Sequence, residues 1–419
     1  MTGAIEVHVT FGTETMRAGQ LYPHRHRGTE SASFTYEDTY LASSKAYPLD
    51  PALPLVSGVL QTRDNQKIFG AFADCAPDRW GRNLIQRAEQ SRARKLGRTP
   101  RSLGEIDFLL GARDDLRHGA LRFRQSDGGP FLATEETGVP ELVELPALMD
   151  LATRSESREI ADAEWQRLVQ AGGSLGGARP KAHVRGASGL IAIAKFPSPT
   201  TDTRNVTAWE KVALDLARSA GISVPDSELI RIGEVCVLIV ERFDRVLENR
   251  IGYVSAMTML EAVDGDQRSY LDIAAVIEER SSQTSQDLSE LWRRMAFSVL
   301  ASNTDDHLRN HGFLHSDGSS WKLSPAFDLN PNPSPGEKDL RTAINEFDTR
   351  ATIQNLMDVA GFFRLDDKEA LLILAEVLEA VTSWSKVARK YGLTQHEISD
   401  MELAFVHPET KKAHSLIRG

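Results

Sequence analysis

Cysteine is nearly absent from this chain. Cys75 and Cys236 are the only two in 419 residues and lie far apart. They form no zinc or redox motif, and a reducing compartment is the simplest setting for them. No apolar run approaches the roughly 20 residues needed to cross a bilayer. Met1-Thr2-Gly3-Ala4-Ile5-Glu6 lacks the basic and apolar regions of a signal peptide. The expectation is a cytoplasmic protein with no membrane role. Positive charge is not in excess either. The formal net charge of -10 argues against a general nucleic-acid coat, while leaving room for a local basic face. No glycine-rich stretch ends in Gly-Lys-Ser/Thr, so there is no Walker A loop. No internal repeat is present. What remains is ordinary for a globular protein: 41% hydrophobic and 26% charged residues, in a length that suggests two or three domains.

The first part reads as β. Ile5, Val7, Val9 and Phe11 alternate with polar residues, which predicts a half-buried strand. Ser33-Phe34-Thr35-Tyr36 and Leu55-Val56-Ser57-Gly58-Val59-Leu60 are further strand candidates, and Ala120-Leu121-Arg122-Phe123 looks like a closing strand. Helical spacing begins after Pro77-Asp78 with Trp80, Leu84, Ile85 and Ala88. Arg79, Arg82, Arg87, Arg92, Arg94, Lys95, Arg98 and Arg101 follow, with only Glu89 opposing. Such a face could meet nucleic acid or an acidic partner, but a solvated helix face is the blander and preferred reading. A polar break at Ser126-Asp127-Gly128-Gly129-Pro130 suggests a boundary. The expected division is 1–125, 126–250 and 251–419.

Residues 141–170 read as two helices. Gly172-Gly173-Ser174-Leu175-Gly176-Gly177-Ala178-Arg179-Pro180-Lys181 comes next. Closely spaced glycines let backbone N–H groups approach an anion, although a flexible turn has the same composition. Strands flank the loop, and Lys195 ends the second of them. That is where kinases carry the lysine that meets the α- and β-phosphates. An amphipathic helix with Val206, Trp209, Ala213, Leu216 and Ala220 follows, and Glu210 on it is the candidate partner of Lys195. A hairpin signal at Gly233-Glu234 then leads into Glu241-Arg242-Phe243-Asp244-Arg245. In kinase order this is the hinge, so Glu241 and Phe243 become adenine-site candidates through their main chain.

The helix near 286–302, with Leu288, Leu291, Trp292, Met295, Val299 and Leu300 as a packing stripe, delivers Ser302-Asn303-Thr304-Asp305-Asp306-His307-Leu308-Arg309-Asn310-His311. Asp305 and Asn310 stand in the pattern Asp-x4-Asn. A hairpin around Asp317-Gly318 leads to Pro325-Ala326-Phe327-Asp328-Leu329. Phosphoryl transfer needs positioning and charge neutralisation, and kinases supply them with these parts in this order. Asp305 would orient the attacking hydroxyl, while Asn310 and Asp328 offer the hard oxygens that Mg²⁺ prefers. Lys195 would hold phosphate oxygens. Two other classes compete. The Asp/His cluster at 305–311 could serve a metal-dependent hydrolase, although no Glu follows His307 as in a zincin. A catalytically silent kinase-like binding module is the third reading.

At this point the chain resembles the HipA family of toxin–antitoxin serine/threonine kinases over nearly its whole length. Gly173 to Lys181, Val240-Glu241-Arg242-Phe243-Asp244-Arg245, Asn303 to Asn310 and Ser324-Pro325-Ala326-Phe327-Asp328 carry the resemblance. It implies an α+β, two-lobed protein-kinase-like fold with a β-rich N-terminal subdomain and a mainly helical C-terminal lobe. It implies Asp305 as the catalytic aspartate, and Asn310 and Asp328 as Mg²⁺ ligands. It further implies nucleotide contacts at Ser174, Leu175, Gly176, Gly177, Ala178, Lys181, Lys195, Glu241, Arg242, Phe243, His307 and Asp328. Ser174 matches the loop serine that such kinases autophosphorylate. ATP and Mg²⁺ are the implied cofactors. The implied partners are a HipB-like DNA-binding antitoxin, DNA only through it, and a translation-related substrate such as glutamyl-tRNA synthetase or another aminoacyl-tRNA synthetase. The chain departs from the general kinase pattern in two places. Asn303-Thr304-Asp305 replaces His-Arg-Asp, and Asp328-Leu329-Asn330 replaces Asp-Phe-Gly. Control through a phosphorylated activation loop, or through a flip at glycine, is not expected.

Overall fold

The computed structural model describes residues 3–125, 129–132, 139–157, 161, 164, 167–168, 171–172, 179–186, 189–247, 249–346 and 348–418. Its contacts divide the chain into two units, Met1–Thr201 with Ile239–Val254, and Asp202–Leu238 with Ser255–Gly419.

In the first unit, strands β1 (Ile5–Phe11), β2 (Glu14–His26), β3 (Thr29–Tyr36), β4 (Leu60–Gln61) and β5 (Leu121–Arg124) form an antiparallel sheet in the order β4-β3-β2-β1-β5. The alternation in β1 predicts one wet face, and the structure overturns this: Ile5 through Thr10 are all buried. The polar side is covered by its own ion pairs. Arg124 Nε donates to Glu6 at 2.6 Å, Arg17 lies 3.3 Å from Glu6, and Phe131 meets the His8 ring edge-on at 5.4 Å. On the other side Phe34, Phe72 and Phe123 pack edge-to-face at 5.7 Å. The strand expected over 55–60 shrinks to Leu60–Gln61. Gly58 sits at φ +107°, outside the extended region, and Val56 and Val59 remain exposed.

The basic segment forms the helix Arg79–Lys95, capped by the Asp78 side chain on the Trp80 amide. Several of its cations are engaged within the chain. Arg82 grips Glu105 at 2.8 and 2.6 Å, Arg87 donates to the Ser155 carbonyl, and Arg98 meets Glu89 at 2.7 Å. Of the two helices expected over 141–170, one is Leu145–Ser157. The second rests on Ile160, Ala163, Trp165 and Val169, outside the described residues. β6 (Lys181–Arg185) and β7 (Ile191–Lys195) make an antiparallel hairpin.

In the second unit the helix Val206–Ser219 follows an Asn205 cap, and β8 (Ser227–Ile232) is adjacent around the Gly233 turn, where φ is +59°, to β9 (Val235–Glu241), whose last three residues belong to the first unit. Helices Tyr270–Arg280, Thr284–Leu300 and Asp367–Thr382 each bury an apolar face in the core. The apolar stripe of Thr284–Leu300 is buried as its spacing predicts, with Leu288, Leu291, Trp292, Met295, Val299 and Leu300 all fully internal. The hairpin Gly312–His315 with Trp321–Leu323 forms around Gly318 at φ +58°.

Trp292 is the pivot of this helical core, with its indole N–H donating to the Leu356 carbonyl at 3.2 Å. Trp292→Ala leaves a cavity and an orphaned carbonyl, so it should cost about 3–5 kcal/mol. Urea denaturation checks this, and a change below about 1 kcal/mol would show that the site collapses around the loss.

Candidate active site

The helix Thr284–Leu300 ends by turning sharply. Ala301 closes it, and Ser302 adopts φ 50°, a left-handed conformation that a non-glycine residue keeps only when its surroundings fix it. Asn303 then folds back. Its amide donates to the Ser298 carbonyl at 2.9 Å and its side-chain Nδ2 to Ser298 Oγ at 3.3 Å. Asn303 Oδ1 is thereby aimed at the Asn330 amide, which donates to it at 2.9 Å. Two further bonds run alongside. The Asn332 amide donates to the Ser302 carbonyl at 3.0 Å, and Asn332 Nδ2 to Thr304 Oγ1 at 3.0 Å. The stretch holding Asp305 is thus laced to the stretch holding Asp328. Asp328 is itself left-handed at φ 56°, and its carbonyl accepts from Asn330 Nδ2 at 3.1 Å.

The spacing of Asp305 and Asn310 has a geometric meaning. Asn310 Nδ2 donates to the Asp305 carbonyl at 2.9 Å and closes the loop on itself. That bond fixes the amide's orientation and leaves its oxygen as the end able to meet a cation. The Asp305 carboxylate is exposed, with Arg341 Nε 3.8 Å away. His307 is half-buried, and its Nδ1 has no hydrogen-bond partner among the described residues.

Beneath this loop the neighbouring carboxyl behaves oppositely. Asp306 is buried and accepts from the Tyr270 hydroxyl, while its carbonyl accepts from Thr342 Oγ1 at 2.7 Å. Burial pushes its carboxyl up to about 7, against the opposing pull of the Tyr270 hydroxyl and nearby backbone amides. His311 packs edge-on to Tyr270 at 5.3 Å, and burial drives its imidazole down to about 3. A cavity of about 20 Å³, room for about one water, opens among Asn303, Asp306, Asn310, His311, Ser298 and Arg294. Asp305, Asp306, His307 and His311 do not converge on one point. Among the described residues no group of three or more His, Cys, Asp or Glu side chains could hold a metal ion. The hydrolase alternative therefore has no ligand set there. Asn310 and Asp328 each carry a hard oxygen of the kind Mg²⁺ prefers, an ion that usually takes few protein ligands and completes its shell with phosphates and water.

In the first unit, Lys181 and Lys195 are direct cross-strand partners at the open end of the β6–β7 hairpin. Like charges directly opposite are unfavourable without an anion to share. Lys181 Nζ lies 3.9 Å from Asp78, and its carbonyl accepts from the Trp80 indole at 3.1 Å. A Cβ at Gly172 would come within 2.6 Å of that carbonyl, so glycine is required where the chain enters the loop. The loop residues Ser174, Leu175, Gly176, Gly177 and Ala178 lie outside the described residues.

Glu241 ends β9, and the Arg242 amide donates to the Ile191 carbonyl at 3.2 Å. The Arg242 side chain is internal, gripping Asp244 at 2.8 and 2.6 Å and donating to the Leu116 and Arg117 carbonyls. Burial opposes ionisation of Asp244, but Arg242 and Arg245 prevail and hold its carboxyl well below the usual range. Arg242 is therefore a structural cation, with its donors spent inside the fold. Phe243 is half-exposed and lies 6.2 Å from the Tyr253 ring.

Sequence reasoning missed Asn303, Asn330, Asn332, Tyr270, Arg341 and Thr342. Asn330 and Asn332 carried a signal: in Asn330-Pro331-Asn332-Pro333 the prolines impose extension, so both asparagines point to one side. Tyr270 and Thr342 carried none.

The raised Asp306 carboxyl has a stability consequence. Between its ordinary value and about 7 the folded chain holds a proton that the unfolded chain has lost. The contribution of Asp306 to stability should therefore fall as pH rises from about 4 to about 7, by at most about 4 kcal/mol, against the opposite contribution of buried His311. Asp306→Asn should remove this contribution, so stability should change more favourably with rising pH in the variant than in the wild type. Denaturation midpoints at pH 4 to 8 test it, and identical slopes in both proteins would refute it.

Similarity to known proteins agrees with this architecture. The family model for the HipA-like C-terminal domain matches residues 173–385, and that for the HipA N-terminal domain matches residues 11–99. A chain of the Shewanella oneidensis MR-1 toxin–antitoxin complex of HipA, HipB and operator DNA aligns with a TM-score of 0.69 at 16% identity. That alignment covers 99% of this chain and 96% of the other. The Helicobacter pylori proinflammatory kinase CtkA aligns at a TM-score of 0.43 and 16% identity, over 58% of this chain and 91% of that one. The candidate kinase Y4dM of Sinorhizobium fredii is 28% identical over 152 residues, 33% of this chain. The match spans only 36% of that relative's length. The fold is the HipA-like α+β fold, and the chain belongs to the HipA family.

Proposed function

We propose that this chain is an ATP- and Mg²⁺-dependent serine/threonine protein kinase, the toxin of a type II toxin–antitoxin pair. The lacing of the Asp305–Asn310 loop to the Asp328 stretch carries this reading. It ties the stretch that carries the exposed Asp305 carboxylate to the stretch that carries Asp328, and phosphoryl transfer needs such groups held together.

In this reading 126–250 holds the nucleotide and 251–419 carries out transfer. Lys181 and Lys195 meet phosphate oxygens, the glycine loop from Ser174 to Ala178 covers them, and main-chain groups at Glu241 and Phe243 face the adenine. Asn310 and Asp328 hold Mg²⁺, which neutralises phosphate charge when bound. Asp305 accepts the hydroxyl proton as the acceptor oxygen bonds to the γ-phosphorus. The bond to the bridging oxygen breaks with its electron pair left on ADP. The acceptor is a translation-related protein such as an aminoacyl-tRNA synthetase, glutamyl-tRNA synthetase being the first to try. The partner is a HipB-like antitoxin that binds DNA, as HipA, HipB and operator stand together in the Shewanella oneidensis complex. The cytoplasm is the setting in which all of these meet.

Asp305→Asn should keep Mg·ATP binding while transfer falls by on the order of 10² to 10⁴. Asp328→Ala should instead weaken Mg·ATP binding. Nucleotide titration and labelled-phosphate transfer separate the two, and full transfer by Asp305→Asn would refute the assignment. Phosphorylation of Ser174 adds about −1.5 to −2 charge in the loop that receives ATP phosphates, so stoichiometrically phosphorylated protein should bind ATP more weakly. Equal affinity in both forms would reject autophosphorylation as an off-switch.

A further inference from the structure

Phosphoryl transfer places charge on the oxygens of the moving phosphoryl group, and arginine, lysine or metal cations held against that group are recurring means of meeting it. The loop 302–310 has one arginine and no lysine, and that residue, Arg309, is turned onto Asp264 as an ion pair. The cation beside Asp305 comes from elsewhere in the unit. It is Arg341, whose Nε lies 3.8 Å from Asp305 Oδ1.

An exposed ion pair on its own is worth about 0–1 kcal/mol and says little. The mounting of Arg341 says more. Leu340, Thr342, Ala343 and Ile344 are all buried, so Arg341 is the exposed residue in a buried run. Thr342 Oγ1 donates to the Asp306 carbonyl at 2.7 Å. The Tyr270 amide donates to the Ala343 carbonyl at 2.8 Å, and the Ala343 amide to the Arg268 carbonyl at 3.0 Å. The Leu340 amide donates to the Thr349 carbonyl at 2.8 Å. Both neighbours of Arg341 are therefore pinned, one of them directly onto the residue after Asp305. Its backbone is fixed against the loop while its side chain stays 73% exposed and able to swing.

We propose that Arg341 is a catalytic residue of the transfer step and that Thr342 is its positioning residue. This rests on the phosphotransferase reading above. Arg341 forms no covalent bond. As the acceptor oxygen bonds to phosphorus and the bridging bond breaks towards ADP, Asp305 takes the hydroxyl proton and loses its charge. The guanidinium is then released from Asp305 to the phosphoryl oxygens. Its planar fork matches two of them, which a lysine ammonium cannot do.

The test uses the full chain and Arg341→Ala, Arg341→Lys, Thr342→Val and Thr342→Ser. Each is measured for thermal midpoint, Mg·ATP affinity, affinity for Mg·ADP with aluminium fluoride, and single-turnover transfer. Arg341→Ala should keep its midpoint and bind Mg·ATP within about twofold of wild type, yet lose about 10² to 10³ in transfer and in affinity for the planar mimic. Arg341→Lys should recover only part of this. Thr342→Val should lose about tenfold in transfer with unchanged Mg·ATP affinity, and Thr342→Ser should restore it. Wild-type transfer by Arg341→Ala overturns the proposal. So does equal weakening of Mg·ATP and the mimic, which would mark a ground-state or structural role. A wild-type chain that neither binds Mg·ATP nor transfers phosphate overturns the phosphotransferase reading itself, and this inference with it.

Discussion

Irregular backbone cannot satisfy its own polar groups, and everything at the candidate site depends on how two such stretches satisfy each other. Apart from the single 3₁₀ turn Leu308–Asn310, residues 301–311 and 324–335 lie outside helix and strand. A buried, unpaired N–H or carbonyl costs about as much as a lost hydrogen bond. Asn303, Asn330 and Asn332 answer this by each bonding across the gap: Asn303 Oδ1 with the Asn330 amide, and Asn332 with both Ser302 and Thr304. Asparagine suits the task because one side chain carries a donor and an acceptor. The left-handed Ser302 and Asp328 sit at the ends of this lacing, where strain can be held because the bonds over-determine the backbone.

The same logic governs the first unit through charge. Arg242, Asp244 and Arg245 form a buried cluster whose desolvation is expensive. The cluster persists because the turn at 116–119 is buried with it. Arg242 and Arg245 donate to the carbonyls of Leu116, Arg117 and Gly119, and Asp244 accepts from the Gly119 amide at 2.8 Å. Two arginines and an aspartate thus stand in for strand partners that this turn lacks. Val240 to Arg245 is read in sequence as a hinge from its order along the chain, and that order does not reveal that the Arg242 side chain is spent on the turn at 116–119.

What was legible followed from short-range rules. The helix Thr284–Leu300 follows from its apolar spacing, and the hairpins from Gly233-Glu234 and Asp317-Gly318. What was not legible depended on distant covering groups. β1 alternates in polarity yet is buried on both faces, because Arg17 and Arg124 neutralise Glu6 and Phe131 covers His8. No local pattern announces that. Tyr270 reaches Asp306 across 36 residues of chain, as does Thr342 from the other side.

The adjacent pair Asp305 and Asp306 shows how one loop assigns opposite duties to the same residue type. Their side chains leave the backbone on opposite sides, one to solvent and one to the core. An acceptor hydroxyl arriving from solvent can reach Asp305 and cannot reach Asp306, which is 2% exposed and already accepts from Tyr270. Burial pushes the Asp306 carboxyl up to about 7, so below that pH it is mostly an uncharged anchor. A second full negative charge directly beneath Asp305 would repel the phosphates that any nucleotide must bring. The fold avoids this by taking the second carboxyl out of water, and so keeps a strong anchor for the loop without adding to the charge at its mouth.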